Sequence, residues 1–99
     1  MQKPYSESCD QNKLPILSII SSIFSDCSQI LEIGSGTGQH AIYFAENMPH
    51  LLWRCSDCNP YIEGIKQWVE DSKLPNVVTP IILDVSGTSW PKYPIDAVF

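Results

Sequence analysis

Three glycines alternate with other residues directly after a short apolar run. The run occupies residues 30–33, and the glycines are Gly34, Gly36 and Gly38. A short apolar run that stops at glycine is typical of a buried strand, and glycine tolerates the positive backbone angles of a sharp turn. Residues 39–48 then have helical apolar spacing. The pattern predicts a strand, a tight turn and a helix, which are consecutive parts of the units that build parallel sheets.

A helix is predicted before the glycine loop. Apolar residues recur at three- and four-residue spacing from residue 16 to residue 24, which makes one apolar helix face. Asn12 or Lys13 precedes Pro15, and a proline fits the first helical turn. We therefore expect a helix that begins near Asn12 or Lys13 and belongs to an amino-terminal segment, residues 1–28.

Strands and helices continue to alternate in residues 29–99. The sequence predicts a second strand at residues 51–56, a helix capped by Asn59, a third strand at residues 77–83 and a fourth that begins at residue 95. Pro80 interrupts the third strand, which favours a sheet edge or a bulge. This order predicts one α/β domain, a Rossmann-like parallel sheet with flanking helices.

The charge balance restricts the partners of the chain. Eleven acidic and six basic residues give a formal net charge of −5. Six scattered cations disfavour a grip on a nucleic-acid backbone. No apolar run approaches the ~20 residues of a membrane span, and the first ten residues are too polar for a signal peptide. We expect a cytoplasmic protein that binds a small molecule, with a nuclear location left open.

Cys55 and Cys58 have the spacing of a zinc-ligand pair. A structural zinc site needs four ligands, and neither a second cysteine pair nor a suitably spaced histidine pair completes the set. A disulfide framework would need a secretory context, which the amino terminus does not indicate. We therefore expect reduced thiols and no metal.

The glycine spacing distinguishes two classes of cofactor. The dinucleotide pattern G-x-G-x-x-G would place its third glycine at position 39, which is Gln39. The third glycine is instead Gly38, and the pattern is E-x-G-x-G-x-G from Glu32. A carboxylate at a buried strand end needs a use or a partner. Glu32 suits S-adenosylmethionine, which has a sulfonium and an ammonium group and no phosphate. A nicotinamide or flavin dinucleotide is the less favoured alternative.

Two further carboxylates follow the next two predicted strands. Asp57 ends the second strand, where it can accept hydrogen bonds from ribose hydroxyls or cap the following helix. Asp84 ends the third strand, where it can accept from an adenine amino group or cap a loop. Because parallel strands end at one edge of their sheet, we expect Glu32, Asp57 and Asp84 on the same rim.

Residues 30–40, ILEIGSGTGQH, resemble the first motif of class I S-adenosylmethionine-dependent methyltransferases. The Asn12-Lys13-x-Pro15 start, the GQHA continuation and the later stretches at residues 56–57 and 83–86 resemble more narrowly the methyltransferase-like protein twenty-six family. The likeness extends from about residue 5 to residue 99. It implies that the chain binds S-adenosylmethionine and takes part in methyl transfer.

The resemblance implies roles for individual residues. The implied cofactor contacts are Glu32, Gly34, Gly36 and Gly38 around the methionine part, Asp57 at the ribose, Cys58 near the adenine, and Asp84 with the backbone of Val85 at the adenine edge. Tyr5, Asn12 and Lys13 match the family's amino-terminal segment, which is implied to cover the site. Helix capping by Asn12 and a solvated Lys13 are the alternatives. No catalytic residue is implied.

The resemblance also implies a seven-stranded sheet on a longer chain. The sequence supplies about four of those strands, so we expect the cofactor-binding, amino-terminal half of a methyltransferase domain, truncated at its carboxyl end. The methyl acceptor is not indicated. The alternative interpretation is a non-catalytic truncated fragment that binds a partner through its uncovered sheet edge.

Overall fold

Helices and strands alternate along the chain as predicted. The structure is a computed structural model, and it describes residues 4–83 and 94–99. The elements are α1 (Glu7–Ile23), β1 (Gln29–Leu31), α2 (Gln39–Asn47), β2 (Leu52–Asp57), α3 (Asn59–Ser72), β3 (Val77–Ile82) and β4 (Ala97–Val98). Within these two ranges, no helix combines the length and apolar character that a membrane span requires.

The four strands form one parallel sheet in the order β3-β2-β1-β4. The chain moves outward from β1 to β3 and then returns to the other side of β1, so the strand order reverses beside β1. Ligands of open α/β sheets bind beyond the carboxyl ends of strands at such a reversal. The predicted Rossmann-like α/β fold is confirmed.

Pro80 lies in β3, which is an edge of the described sheet. The register between β2 and β3 shifts there, since Arg54 lies opposite Val78 whereas Ser56 lies opposite Ile81. One extra residue is thus accommodated in β3, which is a bulge. Pro80 therefore lies both in an edge strand and at a bulge. Both are positions where strand prolines occur, because proline has no N–H to donate to the sheet.

A mainly apolar core fills the space between the sheet and the helices. Its largest fully buried apolar side chains are Trp53, Phe44, Ile30, Leu31, Leu51 and Ile65. The rings of Phe44 and Trp53 are 6.0 Å apart, and Phe99 approaches both rings within 5.8 Å. Burial of a large apolar side chain contributes roughly 1.5–3 kcal/mol, so this cluster attaches α2 to the sheet.

The first helix begins earlier than predicted. Ser6 is its N-cap, and the Ser6 hydroxyl accepts the Cys9 N–H at 3.3 Å. Pro15 therefore lies inside the helix instead of in its first turn, and the predicted start near Asn12 or Lys13 is wrong. A helix tolerates this proline because Pro15 and Gln11, whose carbonyl loses its usual donor, are exposed, so water can replace the lost bond.

Asn76 directly precedes β3. Its side-chain Nδ2 donates to the carbonyls of Ala45 and Leu51, each at 2.9 Å. The Ala45 carbonyl lies near the carboxyl end of α2, where it also accepts the N–H of the C-cap residue Met48 at 3.3 Å. Asn76 therefore joins the end of α2 to the beginning of β2.

Candidate functional site

The glycine loop turns sharply at the carboxyl end of β1. Gly34, Gly36 and Gly38 have φ angles of 66°, 61° and 93°. A Cβ atom at Gly34 or Gly36 would have no neighbour within 4 Å, whereas one at Gly38 would lie 3.3 Å from the Cα of Ile65 and the Cβ of Trp68. The first two glycines thus present open backbone, and the third allows α2 to approach α3 closely.

Four N–H groups of this loop already donate within the protein. The Ser35 N–H donates to the Ser56 carbonyl at 2.9 Å, and the Gly36 N–H donates to Asp57 Oδ2 at 2.8 Å. The Gly38 N–H donates to the Ser35 carbonyl at 3.0 Å, and the Gln39 N–H donates to Thr37 Oγ1 at 3.2 Å. Loops that hold phosphate direct such groups at the anion. In this loop the four N–H groups donate to protein acceptors instead, and these hydrogen bonds stabilise the shape of the loop.

Asp57 lies half-buried at the carboxyl end of β2, beside the loop. Its Oδ2 accepts the Gly36 N–H at 2.8 Å, and its Oδ1 accepts the Cys58 N–H at 2.7 Å. Each carboxylate oxygen can accept a further hydrogen bond. The carboxylate is therefore held in place and retains capacity for additional donors such as hydroxyl groups.

The residues after Asp57 differ from the prediction. Cys58 is the N-cap of α3, and no side chain makes a capping hydrogen bond there. The expected cap by Asn59 is wrong, because Asn59 is already the first residue of the helix. Asp57 does not cap this helix either, so that alternative role does not apply. Cys58 is exposed at the junction of β2 and α3.

Glu32 is buried beneath the loop, with only 4% of the residue exposed. Its Oε1 accepts hydrogen bonds from Ser35 Oγ at 2.7 Å and from Trp53 Nε1 at 3.3 Å. Burial raises the pKa of Glu32, and the hydrogen bonds from Ser35 and Trp53 oppose that rise. The Glu32 carboxyl group therefore has hydrogen-bond partners inside the protein, and its bond to Ser35 stabilises the loop.

Ser35 and Ser56 link the ends of β1 and β2 through bonds that the sequence interpretation missed. The Ser56 N–H donates to Ser35 Oγ at 3.1 Å, and the Ser56 hydroxyl donates to the Glu32 carbonyl. Ser56 is fully buried. The available signal was a small hydroxyl side chain directly before Asp57 in a strand that is otherwise largely apolar. These bonds hold the carboxyl ends of β1 and β2 together next to Asp57.

An open cleft of about 400 Å³ adjoins the loop. Its walls are formed by Pro4, Gly36, Thr37, Pro60, Tyr61, Glu63 and Gly64. Small-molecule sites commonly occupy about 300–1,000 Å³. Tyr61 is 55% exposed and lines this cleft. The exposed ring is a contact surface that helical periodicity did not indicate.

The amino-terminal segment is attached beside the cleft by side chains of α2 and α3. Gln39 donates from Nε2 to the Ser6 carbonyl at 3.2 Å and accepts the Ser6 N–H at Oε1. Trp68 Nε1 donates to the Pro4 carbonyl at 2.6 Å. His40 Nε2 lies 3.0 Å from the Cys9 carbonyl and donates to it, since a carbonyl can only accept. Gln39 and His40, which follow the glycine loop in the sequence, thus attach the amino-terminal segment to α2.

The three amino-terminal residues singled out by the resemblance occupy two environments. Tyr5 and Lys13 line a second cavity between α1 and α2. Lys13 Nζ lies 2.8 Å from Asp10 Oδ1 and 4.9 Å from the centre of the Tyr43 ring. Asn12 is exposed within α1 and caps no helix. The alternative of a freely solvated Lys13 therefore does not apply.

Asp84 and Val85, the predicted adenine contacts, lie outside the described residues. The described chain before them ends at Leu83, whose N–H donates to the Asp57 carbonyl at 3.0 Å. β3 thus ends next to Asp57, at the rim where the carboxylates were expected to meet.

Comparison with known proteins identifies the family. Residues 3–99 match the family described as "Protein of unknown function (DUF938)". The chain belongs to the DUF938 family. A solved structure similar to this DUF938 protein is the crystal structure of the S-adenosylmethionine-dependent methyltransferase SibL in its apo form, with a TM-score of 0.80 and 20% sequence identity over 91% of this chain. The DUF938 chain spans 26% of the SibL chain. The likeness shows that it shares its Rossmann-like fold with a methyltransferase.

Proposed function

We propose that the chain is the cofactor-binding half of an S-adenosylmethionine-dependent methyltransferase, of the kind represented by the methyltransferase-like protein twenty-six family. The observation that carries this proposal is the Asp57 carboxylate, which accepts at 2.8 Å the N–H of Gly36, a residue of the cleft wall. A fixed carboxylate at the end of the second strand has the position needed to accept hydrogen bonds from ribose hydroxyls.

The hydrogen bonds of the loop favour this cofactor over a dinucleotide. A pyrophosphate needs free N–H donors at the glycine loop and the helix N-terminus. Ser35, Gly36, Gly38 and Gln39 already use theirs within the protein. The Asp57 carboxylate does not distinguish the two cofactors, because both carry a ribose whose hydroxyls it could bind. S-adenosylmethionine carries no phosphate, so it does not need these N–H donors.

The chain's own residues would bind and orient the cofactor. The backbone at Gly34 and Gly36 leaves space for its methionine part, and Asp57 would hold the ribose. Glu32 would act through Ser35, as a support of the loop. Cys58, Asp84 and Val85 remain the proposed adenine contacts. The sulfonium supplies the methyl group, and no residue is assigned to its transfer. The proposed location is cytoplasmic, with neither a membrane nor nucleic acid as a partner.

Isothermal titration calorimetry of the purified chain with S-adenosylmethionine tests the proposal, with NAD as the competing ligand. We expect saturable binding of S-adenosylmethionine and none of NAD. Asp57→Asn should weaken binding at least tenfold, because one oxygen acceptor becomes an amide donor. Asp26→Asn is the matched control, since Asp26 is an exposed aspartate at the opposite, amino-terminal side of β1.

Two results would overturn the proposal. Binding of NAD alone would show that the loop serves a dinucleotide despite its internal hydrogen bonds. A folded chain that binds neither molecule, with circular dichroism confirming its helices, would show that these residues do not form a cofactor site.

A further inference from the structure

Gly64 lies in the interior of α3 with an ordinary helical backbone. Glycine inside a helix is destabilising relative to alanine, and Gly64 lacks the positive φ that the loop glycines have. A Cβ atom at this position would lie 2.7 Å from Pro4 Cγ and 3.2 Å from Pro4 Cδ. Carbon atoms in contact are about 3.5–4.0 Å apart. The missing side chain of Gly64 therefore makes room for the ring of Pro4.

Residues 4–6, which we call the strap, are held at both of their ends. Trp68 lies one turn after Gly64 on α3, and its Nε1 donates to the Pro4 carbonyl at 2.6 Å. The carboxamide of Gln39 accepts the Ser6 N–H and donates to the Ser6 carbonyl. The strap is thus docked against the beginning of both α2 and α3.

The strap forms part of the cofactor cleft. Pro4 and Gly64 line this cleft together with Gly36 and Thr37 of the glycine loop. Gln39 and Trp68 hold the strap from the other side, since they line the cavity between α1 and α2. If the strap left its seat on α3, the cleft would lose the wall that Pro4 provides.

A hydrogen-bond network connects the strap with the loop. The Thr37 hydroxyl donates to Gln39 Oε1 at 3.1 Å, and the same oxygen accepts the Ser6 N–H. One carboxamide oxygen thus serves a loop residue of the cleft wall and the end of the strap. A molecule that contacts the loop and Pro4 together would stabilise the docked position of the strap.

We propose that the strap completes the binding site for S-adenosylmethionine, and that its docking on Gly64 is coupled to the binding of this cofactor. The proposal rests on the proposed function of the cleft. Gly64, Gln39 and Trp68 are then positioning residues that act through Pro4. Because such coupling is reciprocal, the strap should raise the affinity for the cofactor, and the cofactor should hold the strap in place.

Amide hydrogen exchange of the full chain tests the second half of this coupling. Saturating S-adenosylmethionine should slow exchange of the Ser6 N–H about fivefold or more, because local opening of the strap becomes rarer. The Cys27 N–H is the control, since it donates to the Phe24 carbonyl at 3.1 Å in the turn after α1 and should exchange at the same rate. A strap with only a structural role would exchange equally with and without the cofactor.

Calorimetric titration of variants tests the first half. Gly64→Ala should weaken binding of S-adenosylmethionine about tenfold, because the added methyl group displaces Pro4 and a wall that was already in place is lost. Alanine favours the helix, so circular dichroism should show α3 intact. Pro4→Gly removes the ring itself and should have a similar effect.

The double variant Pro4→Gly/Gly64→Ala shows whether Gly64 acts through Pro4. It should bind as Pro4→Gly does, because the methyl group then has no ring to displace. Two exposed positions outside the cleft provide matched controls, Glu70→Ala in α3 and Pro49→Gly after α2. Both should bind like the unmodified chain. Losses that add in the double variant would mean that Gly64 touches the cofactor directly, which contradicts the proposal.

The remaining outcomes separate this proposal from the proposed function. If the unmodified chain binds S-adenosylmethionine, an unchanged exchange rate at Ser6 or an unchanged affinity of Gly64→Ala would overturn the coupling and leave the cofactor site in place. If the folded, unmodified chain does not bind S-adenosylmethionine, the proposed function and the coupling are both wrong.

Discussion

Gln39 and Ser6 exchange two hydrogen bonds although 33 residues separate them along the chain. The Gln39 carboxamide accepts the Ser6 N–H and donates to the Ser6 carbonyl, so it pairs with that residue as a neighbouring strand would. Gln39 is only 9% exposed. Because Gln39 is the first residue of α2, this pair connects the amino-terminal segment to the end of the glycine loop.

Replacing Gln39 with leucine should detach the amino-terminal segment. The change leaves the Ser6 N–H without its partner and removes one of the two donors to the Ser6 carbonyl, which also accepts the Asp10 N–H at 3.2 Å. We expect a loss of about 1–3 kcal/mol in the free energy of unfolding. Urea denaturation measures the loss, and amide hydrogen exchange should become faster at Ser6. Gln11→Leu, at an exposed position of α1, should change stability by less than about 0.5 kcal/mol. Equal stability of the two variants would contradict the anchoring role.

Alanine should be tolerated less well at Gly38 than at Gly36. Both positions have positive φ, which costs an L-residue about 1–2 kcal/mol. At Gly38 the added Cβ would also lie 3.3 Å from the Cα of Ile65, so α2 and α3 would have to separate. Thermal denaturation should therefore show a lower midpoint for Gly38→Ala than for Gly36→Ala. The reverse order would mean that the close contact between α2 and α3 is unimportant.

The stability of the chain should depend on pH through Glu32. Burial raises the pKa of Glu32 in the folded state, so the folded protein binds this proton more tightly than the unfolded chain does. The resulting contribution is complete below the unfolded pKa, near 4.3, and is lost as pH rises through the folded pKa. The slope cannot exceed about 1.4 kcal/mol per pH unit for one proton.

Glu32→Gln isolates this effect because the amide oxygen can still accept from Ser35 and Trp53. The stability of the variant relative to the unmodified chain should increase from pH 4 towards neutral pH. Urea denaturation at several pH values measures the difference. Parallel stability curves for the two proteins would show that Glu32 does not titrate differently on folding.

Asp96 should have the opposite pH dependence. Its Oδ2 accepts the N–H groups of Ser28 and Gln29 at 2.7 and 2.8 Å, and these bonds lower the pKa of Asp96. The stabilisation is present above the unfolded pKa, near 3.9, and is lost as pH falls through the lower folded value. Asp96→Asn should therefore reduce stability at pH 6 and have less effect at pH 3.

The measurement for Asp96 is thermal denaturation at both pH values, combined with hydrogen exchange at Ser28 and Gln29. Asp26→Asn, a change at an exposed aspartate in the turn before β1, should leave both readouts unchanged. An Asp96 variant that loses the same stability at pH 3 as at pH 6 would rule out the charge of the carboxylate as the cause.

The sequence was sufficient for the order of the elements, because apolar spacing distinguishes helices from strands locally. It also placed Asp57 at the rim, since a polar residue after an apolar strand marks the end of that strand. It failed at the beginning of α1, where Pro15 suggested a first turn although the Ser6 cap lies nine residues earlier. It also did not indicate that Tyr61 lines the cleft, because helical spacing does not show which side of α3 faces the cleft.

The chain's local patterns determined its fold class, its glycine turn and the carboxylates that follow its strands, because these depend on spacing along the chain. Only the tertiary structure decided which partners those groups have. It buried Glu32 against Ser35 and Trp53, held Asp57 by the Gly36 N–H, and paired Gln39 with Ser6. Such hydrogen bonds join residues more than twenty positions apart or require burial, and neither distance in space nor burial is encoded in any local stretch of sequence.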